Sequence, residues 1–317
     1  TRKVTPALAA GCTIVVKPAE DTPLCALALA ALAERAGVPK GVFNVVTCKD
    51  PVAVGKVLTT DPRVRMVTFT GSTEVGKILM AQAAGTVKKF GLELGGNAPL
   101  IVFDDADISR AVTGAMASKF RNAGQTCVSA NRILVQAGIF DAFVAALAAE
   151  VAKHKVGAGV DAGVTQGPLI NIQAVEKVEA HLADAVAKGA KVVAGGKRHK
   201  LGKTFFEPTV VTGIGQSMRM WNEETFGPVA AITRFTTDDE AIELANSTPF
   251  GLAAYVFTRD LARTFRMSDA LDFGIIGINE GLTSTEVAPF GGVKESGLGR
   301  EGSHHGVEEF VELKYTL

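Results

Sequence analysis

A lone cysteine in a glycine-containing stretch is the first residue whose type suggests covalent chemistry. In the string FRNAGQTC, Cys127 follows a predicted helix and a glycine. A thiolate in such a turn can act as a nucleophile, whereas most single cysteines are buried and inert, so both interpretations stay open. All five histidines lie in stretches rich in Lys, Arg or Gly that we expect to be solvated. A histidine-activated cysteine hydrolase is therefore disfavoured.

An acid between two leucines is the second candidate. Glu93 lies in the string LELGGN, just before a pair of glycines. Apolar neighbours desolvate a carboxyl and raise its pKa, and such a group can act as a base near neutral pH. The alternative is a glutamate at a strand end whose side chain reaches solvent.

A glycine turn between a predicted strand and helix could bind phosphate. The string FTGSTEVGK runs from Phe69 to Lys77 and fits the pattern G-x-x-x-x-G-K. Ile78 stands where a P-loop needs Ser or Thr, and the dinucleotide pattern G-x-G-x-x-G is not matched. Backbone N–H groups at the start of a helix attract phosphate, but a plain strand-turn-helix joint explains the pattern equally well.

The string KPAE, from Lys17 to Glu20, lies at the carboxyl end of another predicted strand. Ligands of open parallel sheets bind at such ends, so this pair could contact a ribose, while a plain surface loop is the alternative. A carboxylate there accepts hydrogen bonds from a 2′-hydroxyl and repels a 2′-phosphate. If a ribose binds, Glu20 predicts that NAD is preferred over NADP.

Alternating strands and helices must position these residues. Short β-branched runs predict strands at residues 13–16, 43–47, 65–70, 99–103, 132–136, 230–235, 253–257 and 273–278. Helical patterns fill the gaps at residues 23–37, 52–58, 73–84, 107–121, 140–153 and 174–188, the first of them with Thr22 as its expected N-cap and Pro23 in its first turn. This alternation predicts two α/β domains with parallel sheets and a boundary near Gly95.

Composition excludes several classes of function. The 317 residues carry 33 Lys+Arg and 33 Asp+Glu, so the net charge is zero and no basic nucleic-acid surface is expected. The longest apolar run, Leu24 to Ala33, is about half of a membrane span, and no secretion signal is found at the start. The four cysteines form no C-x-x-C pair. We therefore predict a cytoplasmic protein without a metal, nucleic-acid or membrane partner.

Six strings together resemble the aldehyde dehydrogenase superfamily. KPAEDTP, FTGST-x-x-GK, LELGGN, GQTC, EETFGP and PFGGVKESGLGRE occur in that family's order and spacing. FRNAGQTC and the string NEGLTS at residues 279–284 resemble the succinate-semialdehyde dehydrogenases of this superfamily.

The resemblance implies an α/β fold with two Rossmann-like parallel-sheet domains. It assigns residues 1–95 to an NAD-binding domain truncated at its start, residues 96–300 to a catalytic domain, and residues 301–317 to a C-terminal segment with an oligomerisation strand. The family further implies a homodimer or homotetramer.

The resemblance also implies a role for each matching residue. Cys127 matches the nucleophile and Glu93 the general base. The cofactor contacts that it implies are the ribose pair Lys17 and Glu20, the phosphate turn Gly71, Ser72 and Gly76, and Glu224 and Phe226 at the nicotinamide end. The substrate carboxylate is implied to bind Arg121, Arg2 and Ser284.

The implied reaction is the oxidation of succinate semialdehyde to succinate, as in 4-aminobutyrate degradation, through a thiohemiacetal and a thioester on Cys127. Glutarate semialdehyde is the alternative substrate, and a catalytically impaired nucleotide-binding fragment is the alternative role. Family members also carry a segment ahead of residues 1–3, with an asparagine that donates to the oxyanion. We therefore expect residues 1–317 alone to be less active than a chain with that segment.

Overall fold

The computed structural model describes residues 1–317 as an alternation of helices and strands. The helices are α1 Val4–Ala9, α2 Leu24–Arg35, α3 Pro51–Thr60, α4 Thr73–Ala83, α5 Ile108–Lys119, α6 Phe140–Val151, α7 Ile172–Ala187, α8 Arg219–Asn222, α9 Asp238–Asn246, α10 Leu261–Ala270 and α11 His305–Glu308. The strands are β1 Ile14–Val16, β2 Phe43–Val45, β3 Met66–Thr70, β4 Lys89–Glu93, β5 Ala98–Val102, β6 Ala130–Gln136, β7 Lys191–Ala194, β8 Thr209–Thr212, β9 Val229–Phe235, β10 Phe250–Gly251, β11 Ala253–Phe257, β12 Ile275–Ile278, β13 Val293–Lys294 and β14 Gly297–Leu298.

Side-chain caps explain where several helices begin. Asp50 caps α3, Ser72 caps α4 and Asp107 caps α5, and each side chain accepts a backbone N–H of the first turn. The prediction that Thr22 caps α2 is wrong, because Pro23 holds the N-cap position and makes no side-chain hydrogen bond.

The chain divides into two compact units. The first unit contains Thr1–Leu94, Ser284–Gly291 and Gly297–Leu317, and the second contains Gly95–Thr283 and Gly292–Ser296. Two segments near the C-terminus thus belong to the same unit as the first 94 residues. The cofactor-binding and catalytic roles of the two parts remain proposals.

Two small sheets form the first unit, where the alternation of elements predicts one parallel sheet. β1 pairs in parallel with β2, while β4 pairs in parallel with β3 and antiparallel with β14. β4 is therefore the central strand of a three-stranded sheet, and β1 and β2 form a separate two-stranded sheet. The register sets Thr70, the last residue of β3, opposite Glu93, the last residue of β4.

A seven-stranded sheet organises the second unit. Its order is β12-β11-β5-β6-β9-β8-β7, and all neighbours are parallel except the edge pair β8 and β7. Every residue of β5 and β11 is buried, as expected for central strands that helices cover on both faces. The sequence patterns predict neither β7 nor β8.

The C-terminal residues of the first unit form the short helix α11 and then an irregular segment. Residues 311–317 are neither helix nor strand in this single chain, so the predicted C-terminal strand is not formed here. Leu313, Tyr315 and Leu317 are exposed. Pairing of this segment with another subunit stays a prediction.

No helix of the chain combines the length and the hydrophobicity that crossing a membrane requires.

Candidate active site

Cys127 lies in a tight turn at the start of β6 in the second unit. The Ser129 N–H donates to the Thr126 carbonyl at 3.0 Å, which closes the turn around the cysteine. The buried hydroxyl of Tyr255 donates to the Val128 carbonyl at 2.6 Å and fixes the next residue. Cys127 itself is only half-buried. Its backbone is therefore held rigidly while a small molecule could still reach the residue, which is what a nucleophile requires.

Two glycines allow the backbone to close around this turn. A Cβ atom on Gly96 would lie 2.3 Å from the Cys127 carbonyl oxygen. A Cβ atom on Gly124, whose φ is +73°, would lie 2.2 Å from the Gly227 carbonyl oxygen. No side chain fits at either position, so the glycines of LELGGN and GQTC are required by backbone contact.

Arg121 is exposed at the start of the 3-10 turn that leads to the thiol. The next two residues, Asn122 and Ala123, have φ values of 53° and 55°, a left-handed conformation that is strained for residues with a Cβ. The Asn122 side-chain amide donates to the Gln125 carbonyl at 3.0 Å, and the Gln125 side-chain amide donates to the Asn122 carbonyl at 3.1 Å. These two hydrogen bonds stabilise the turn. The guanidinium thus projects from a fixed loop in the same unit as Cys127.

Glu224 carries a carboxylate that reaches Gly96, the glycine that packs against the Cys127 backbone. Its Oε1 accepts the Gly96 N–H at 3.1 Å, and burial raises the pKa of Glu224 to about 7. The nearby Lys119 is fully buried, its Nζ makes no hydrogen bond, and burial lowers its pKa to about 8. The opposite charges favour each other's ionised form. Phe226 follows in the left-handed conformation, with φ of 52° and a partly exposed ring.

Glu93 lies in the first unit and is 3% exposed. Burial raises the pKa of its carboxyl to about 8, and the Glu301 carboxylate adds to this, against Lys3, Arg300 and Arg2. Its Oε2 is buried and has no hydrogen-bond partner. The alternative of a solvent-facing glutamate is therefore wrong. A buried carboxyl with a raised pKa and an unpaired oxygen is suited, in its ionised form, to accept a proton from water.

A salt bridge between Lys3 and Glu301 lies beside Glu93, and these two side chains line a small cavity together with Glu93 and Arg300. Sequence reasoning missed this cluster, because Lys3 and Glu301 are 298 residues apart. Glu301 ends the string PFGGVKESGLGRE and Lys3 follows the predicted contact Arg2, but no sequence signal pairs the two.

A wider cleft of about 560 Å³ in the first unit contains two of the three predicted carboxylate contacts. Arg2 and Ser284 both line it, together with Thr285, Ser303 and Val307. The third, Arg121, belongs to the second unit. The guanidinium of Arg2 also lies 4.3 Å from the centre of the Phe290 ring, which orients it.

The predicted ribose pair is joined directly. The Lys17 Nζ and a Glu20 carboxylate oxygen form a salt bridge just beyond the end of β1. This hydrogen bond is the main reason that the pKa of Glu20 lies below its usual range. Glu20 is exposed and ionised, so it can accept hydrogen bonds from hydroxyl groups of a ligand.

The turn predicted to bind phosphate connects β3 to α4. A Cβ atom on Gly71 would lie 2.3 Å from the Phe69 ring, and one on Gly76 would lie 2.6 Å from the Leu94 side chain. Ser72 caps α4 by accepting a first-turn N–H at 3.3 Å. The observed contacts of both glycines are thus packing contacts, and Ser72 is exposed at the start of an 11-residue helix. Phosphate binding at this turn stays a prediction.

One group of side chains has metal-ligand types: His304, His305 and Glu308, whose ligand atoms lie within 4.8 Å of one another. Two of the three are exposed, and His305 Nδ1 already bonds Glu308 Oε2 at 3.0 Å. The group is therefore explained by a surface hydrogen bond between His305 and Glu308.

The prediction that every histidine is solvated is wrong for His181. This residue of α7 is fully buried and hydrogen-bonds Glu223 and Thr225. It lies on the buried stripe of the helix, which a 3.6-residue periodicity could have indicated.

The comparisons with known proteins agree with this arrangement of motifs. A sequence profile described as "Aldehyde dehydrogenase family" matches residues 1–316. The chain belongs to the aldehyde dehydrogenase family.

Individual relatives share about 60% of their residues with the chain. It is 59% identical over 316 residues to 3-sulfolactaldehyde dehydrogenase of Pseudomonas putida and 61% identical over 315 residues to glutarate-semialdehyde dehydrogenase of Pseudomonas aeruginosa. These alignments cover 100% and 99% of the chain, and each covers 65% of the relative.

Two solved structures are similar over nearly the whole chain. The crystal structure of succinate-semialdehyde dehydrogenase from Burkholderia pseudomallei matches with a TM-score of 0.96 and 62% identity, over 98% of this chain and 64% of that one. An NADP-dependent enzyme of E. coli matches with a TM-score of 0.98 and 59% identity, over 99% of this chain and 65% of that one. The chain thus spans slightly less than two thirds of the length of these relatives.

Proposed function

We propose that the protein carrying this chain oxidises a short aldehyde with a second, acidic end group, and that NAD(P) accepts the hydride. The observation that carries this proposal is the buried carboxyl of Glu93, whose pKa is raised to about 8 and whose Oε2 is unpaired. A general base for hydrolysis needs such a group. Family membership and the names of the relatives support the same reaction.

In the first half of the reaction, the Cys127 thiolate attacks the aldehyde carbon and a C–S bond forms. The carbonyl oxygen becomes an oxyanion, which the backbone N–H of Cys127 is suited to stabilise. Collapse of the oxyanion then breaks the C–H bond, and the hydrogen leaves with its electron pair. NAD(P), when bound, supplies the acceptor for that hydride. The acyl group remains on Cys127 as a thioester.

In the second half, Glu93 takes a proton from a water molecule, whose oxygen attacks the thioester carbon. The C–S bond breaks, the thiolate leaves, and a carboxylic acid is released. Burial is essential to this role, because an exposed glutamate with an ordinary pKa would be too weak a base at neutral pH.

The acidic end of the substrate is proposed to bind Arg121, with Arg2 and Ser284 as further contacts. A guanidinium binds a carboxylate through two parallel hydrogen bonds, and it also suits a sulfonate. Succinate semialdehyde is the first substrate to test, followed by glutarate semialdehyde, which is one methylene longer. The sulfonate-bearing aldehyde named for one relative belongs to the same class.

The cofactor is proposed to be NAD rather than NADP. Glu20 is exposed and ionised beside Lys17, and its charge would repel a 2′-phosphate. Ser72, Gly71 and the start of α4 are proposed to face the pyrophosphate, and Glu224 and Phe226 the nicotinamide end. The preference for NAD is a sharp test, because a structure 59% identical to this chain is described as that of an NADP-dependent enzyme.

The test is formation of reduced cofactor, followed by its absorbance, with succinate semialdehyde, glutarate semialdehyde and uncharged butyraldehyde. Cys127→Ala should abolish turnover, while Glu93→Gln should retain a burst of reduced cofactor and lose steady-state turnover. Exposed Cys25→Ala is the matched control for the thiol and should behave as the parent protein. No reduction of NAD or NADP with any aldehyde, or full turnover by Cys127→Ala, would refute the proposal.

A further inference from the structure

One face of helix α7 contacts the segment that carries Glu224 and Phe226. We define residues 219–227 as the Glu224 segment. Val178, His181 and Asp184 are spaced by three residues along α7 and therefore lie on one side of the helix. All of these residues belong to the second unit.

Each of the three α7 residues holds a different point of the Glu224 segment. Val178 lies so close to Gly227 that a Cβ atom there would meet its Cγ2 at 2.4 Å. Asp184 Oδ2 accepts the Arg219 N–H at 2.8 Å. The two ends of the segment are thus anchored on α7, and the residue between the anchors is His181.

His181 binds both neighbours of Glu224. Its Nε2 lies 3.1 Å from Glu223 Oε2, and its Nδ1 lies 3.2 Å from Thr225 Oγ1. Burial lowers the pKa of the imidazole, which favours the neutral ring. A neutral ring with its hydrogen on Nε2 donates to the Glu223 carboxylate and accepts the Thr225 hydroxyl, so one tautomer satisfies both bonds.

Asn131, at the start of β6, holds the backbone of the same two residues. The Thr225 N–H donates to Asn131 Oδ1 at 3.1 Å, and Asn131 Nδ2 donates to the Glu223 carbonyl at 3.1 Å. Asn131 is itself tied to Asn97 Oδ1 at 2.7 Å. The residues before and after Glu224 are therefore fixed through side chain and backbone alike.

We propose that His181 is a positioning residue, which fixes Glu224 for contact with the nicotinamide end of the cofactor by holding Glu223 and Thr225. This rests on the proposed function, because the role of Glu224 comes from the family resemblance. The positioned carboxylate accepts the Gly96 N–H at 3.1 Å. His181 therefore acts on the cofactor contact through the Glu224 segment, and it touches neither Cys127 nor Glu93.

The first experiment separates the cofactor contact from the thiol chemistry. His181→Ala should lower kcat/KM for NAD about tenfold, the loss expected for one charge-assisted hydrogen bond. Hydrolysis of an activated ester, p-nitrophenyl acetate, needs the thiol and the base but no cofactor, and it should change less than about twofold. Equal losses in both assays would show that His181 only supports folding, and the proposal would fail.

Two partial variants test the hydrogen bonds themselves. His181→Gln can keep a donor near Glu223, and His181→Asn can keep an acceptor near Thr225. Both should give kcat/KM for NAD between those of the parent and His181→Ala. Glu176→Gln, on the exposed side of α7, is the control and should match the parent. If all three His181 variants are equally impaired, the bonds to Glu223 and Thr225 do not carry the effect.

A double variant tests whether His181 acts through Glu224. In a Glu224→Gln background, His181→Ala should change kcat/KM for NAD less than about twofold, because the positioned carboxylate is already gone. An undiminished tenfold loss in that background would overturn the proposal.

The ligand-free protein provides a readout that needs no activity. Trp221, the single tryptophan of the 317 residues, is buried within the Glu224 segment. Acrylamide should quench its fluorescence more strongly in His181→Ala than in the parent and Glu176→Gln. Unchanged quenching refutes positioning by His181, whereas a parent protein that reduces neither NAD nor NADP refutes the proposed function. The two failures are therefore distinguishable.

Discussion

Replacing Glu93 by Gln should change how the stability of the protein depends on pH. The carboxyl is 3% exposed, and its pKa is raised from 4.5 to about 8, chiefly by burial. A raised folded-state pKa means that the folded protein binds the proton more tightly than the unfolded chain. The parent protein should therefore be most stable below pH 4.5 with respect to this group, and should lose stability as the pH rises toward 8.

The size of this effect follows from the shift. A change from 4.5 to about 8 corresponds to about 5 kcal/mol, at 1.36 kcal/mol per pKa unit. Between pH 5 and pH 8, roughly 3–4 kcal/mol of this loss should be expressed. Gln does not titrate, so the unfolding free energy of Glu93→Gln relative to the parent should rise by that amount over the same interval.

Urea unfolding at pH 5, 6.5 and 8 measures the effect, with the parent and the variant side by side. Glu20→Gln is the control, because the pKa of Glu20 is lowered and its linkage is confined to pH values below 4.5. The difference in unfolding free energy between Glu20→Gln and the parent should stay constant from pH 5 to pH 8. The difference between Glu93→Gln and the parent should rise over the same range. If the difference in unfolding free energy between Glu93→Gln and the parent does not change with pH, the carboxyl titrates normally. The argument for a buried base would then be refuted.

Three further substitutions test other parts of the site. Arg121→Ala should raise KM for succinate semialdehyde by one to two decades, from a loss of roughly 1.5–3 kcal/mol, and should hardly affect butyraldehyde; equal effects on both aldehydes would contradict a carboxylate contact. The parent should prefer NAD over NADP by about tenfold in kcat/KM and Glu20→Ser should narrow that gap, whereas equal kinetics of the parent with both cofactors would refute the role of Glu20. Gly96→Ala should displace the Cys127 carbonyl, since the new Cβ would lie 2.3 Å from its oxygen, and should slow alkylation of the thiol by iodoacetamide at least about tenfold; an unchanged alkylation rate would show that the turn can yield.

Local sequence signals predicted most of the elements around the site. The apolar runs at β5, β9 and β11 and the turn before α4 were readable because each depends on neighbouring residues alone. The sequence allows Glu93 to be either buried or exposed to solvent. Its burial was decided by Lys3, Arg300 and Glu301, which pack around it from both ends of the chain.

His181 shows why part of the site escaped prediction. Its partner Glu223 is 42 residues away, and the bond from Gly96 to Glu224 spans 128 residues. No periodicity or spacing indicates such pairs, because they form only when separate elements pack together. The buried Lys119, next to the recognised FRNAGQTC string, was missed for the same reason.

The sequence by itself determined the order of the motifs and the family to which they belong, and it pointed to Cys127 and Glu93 as the proposed thiol and acid. Side-chain chemistry and short-range turn geometry encode these features, and both are local. Only the tertiary structure decided that residues 284–291 and 297–317 join the first unit and that β14 pairs with β4. It also decided that one face of α7 packs against the Glu224 segment. Those features depend on burial between distant segments, and burial raises the pKa of Glu93 and lowers that of His181 because a charge is costly where water is excluded.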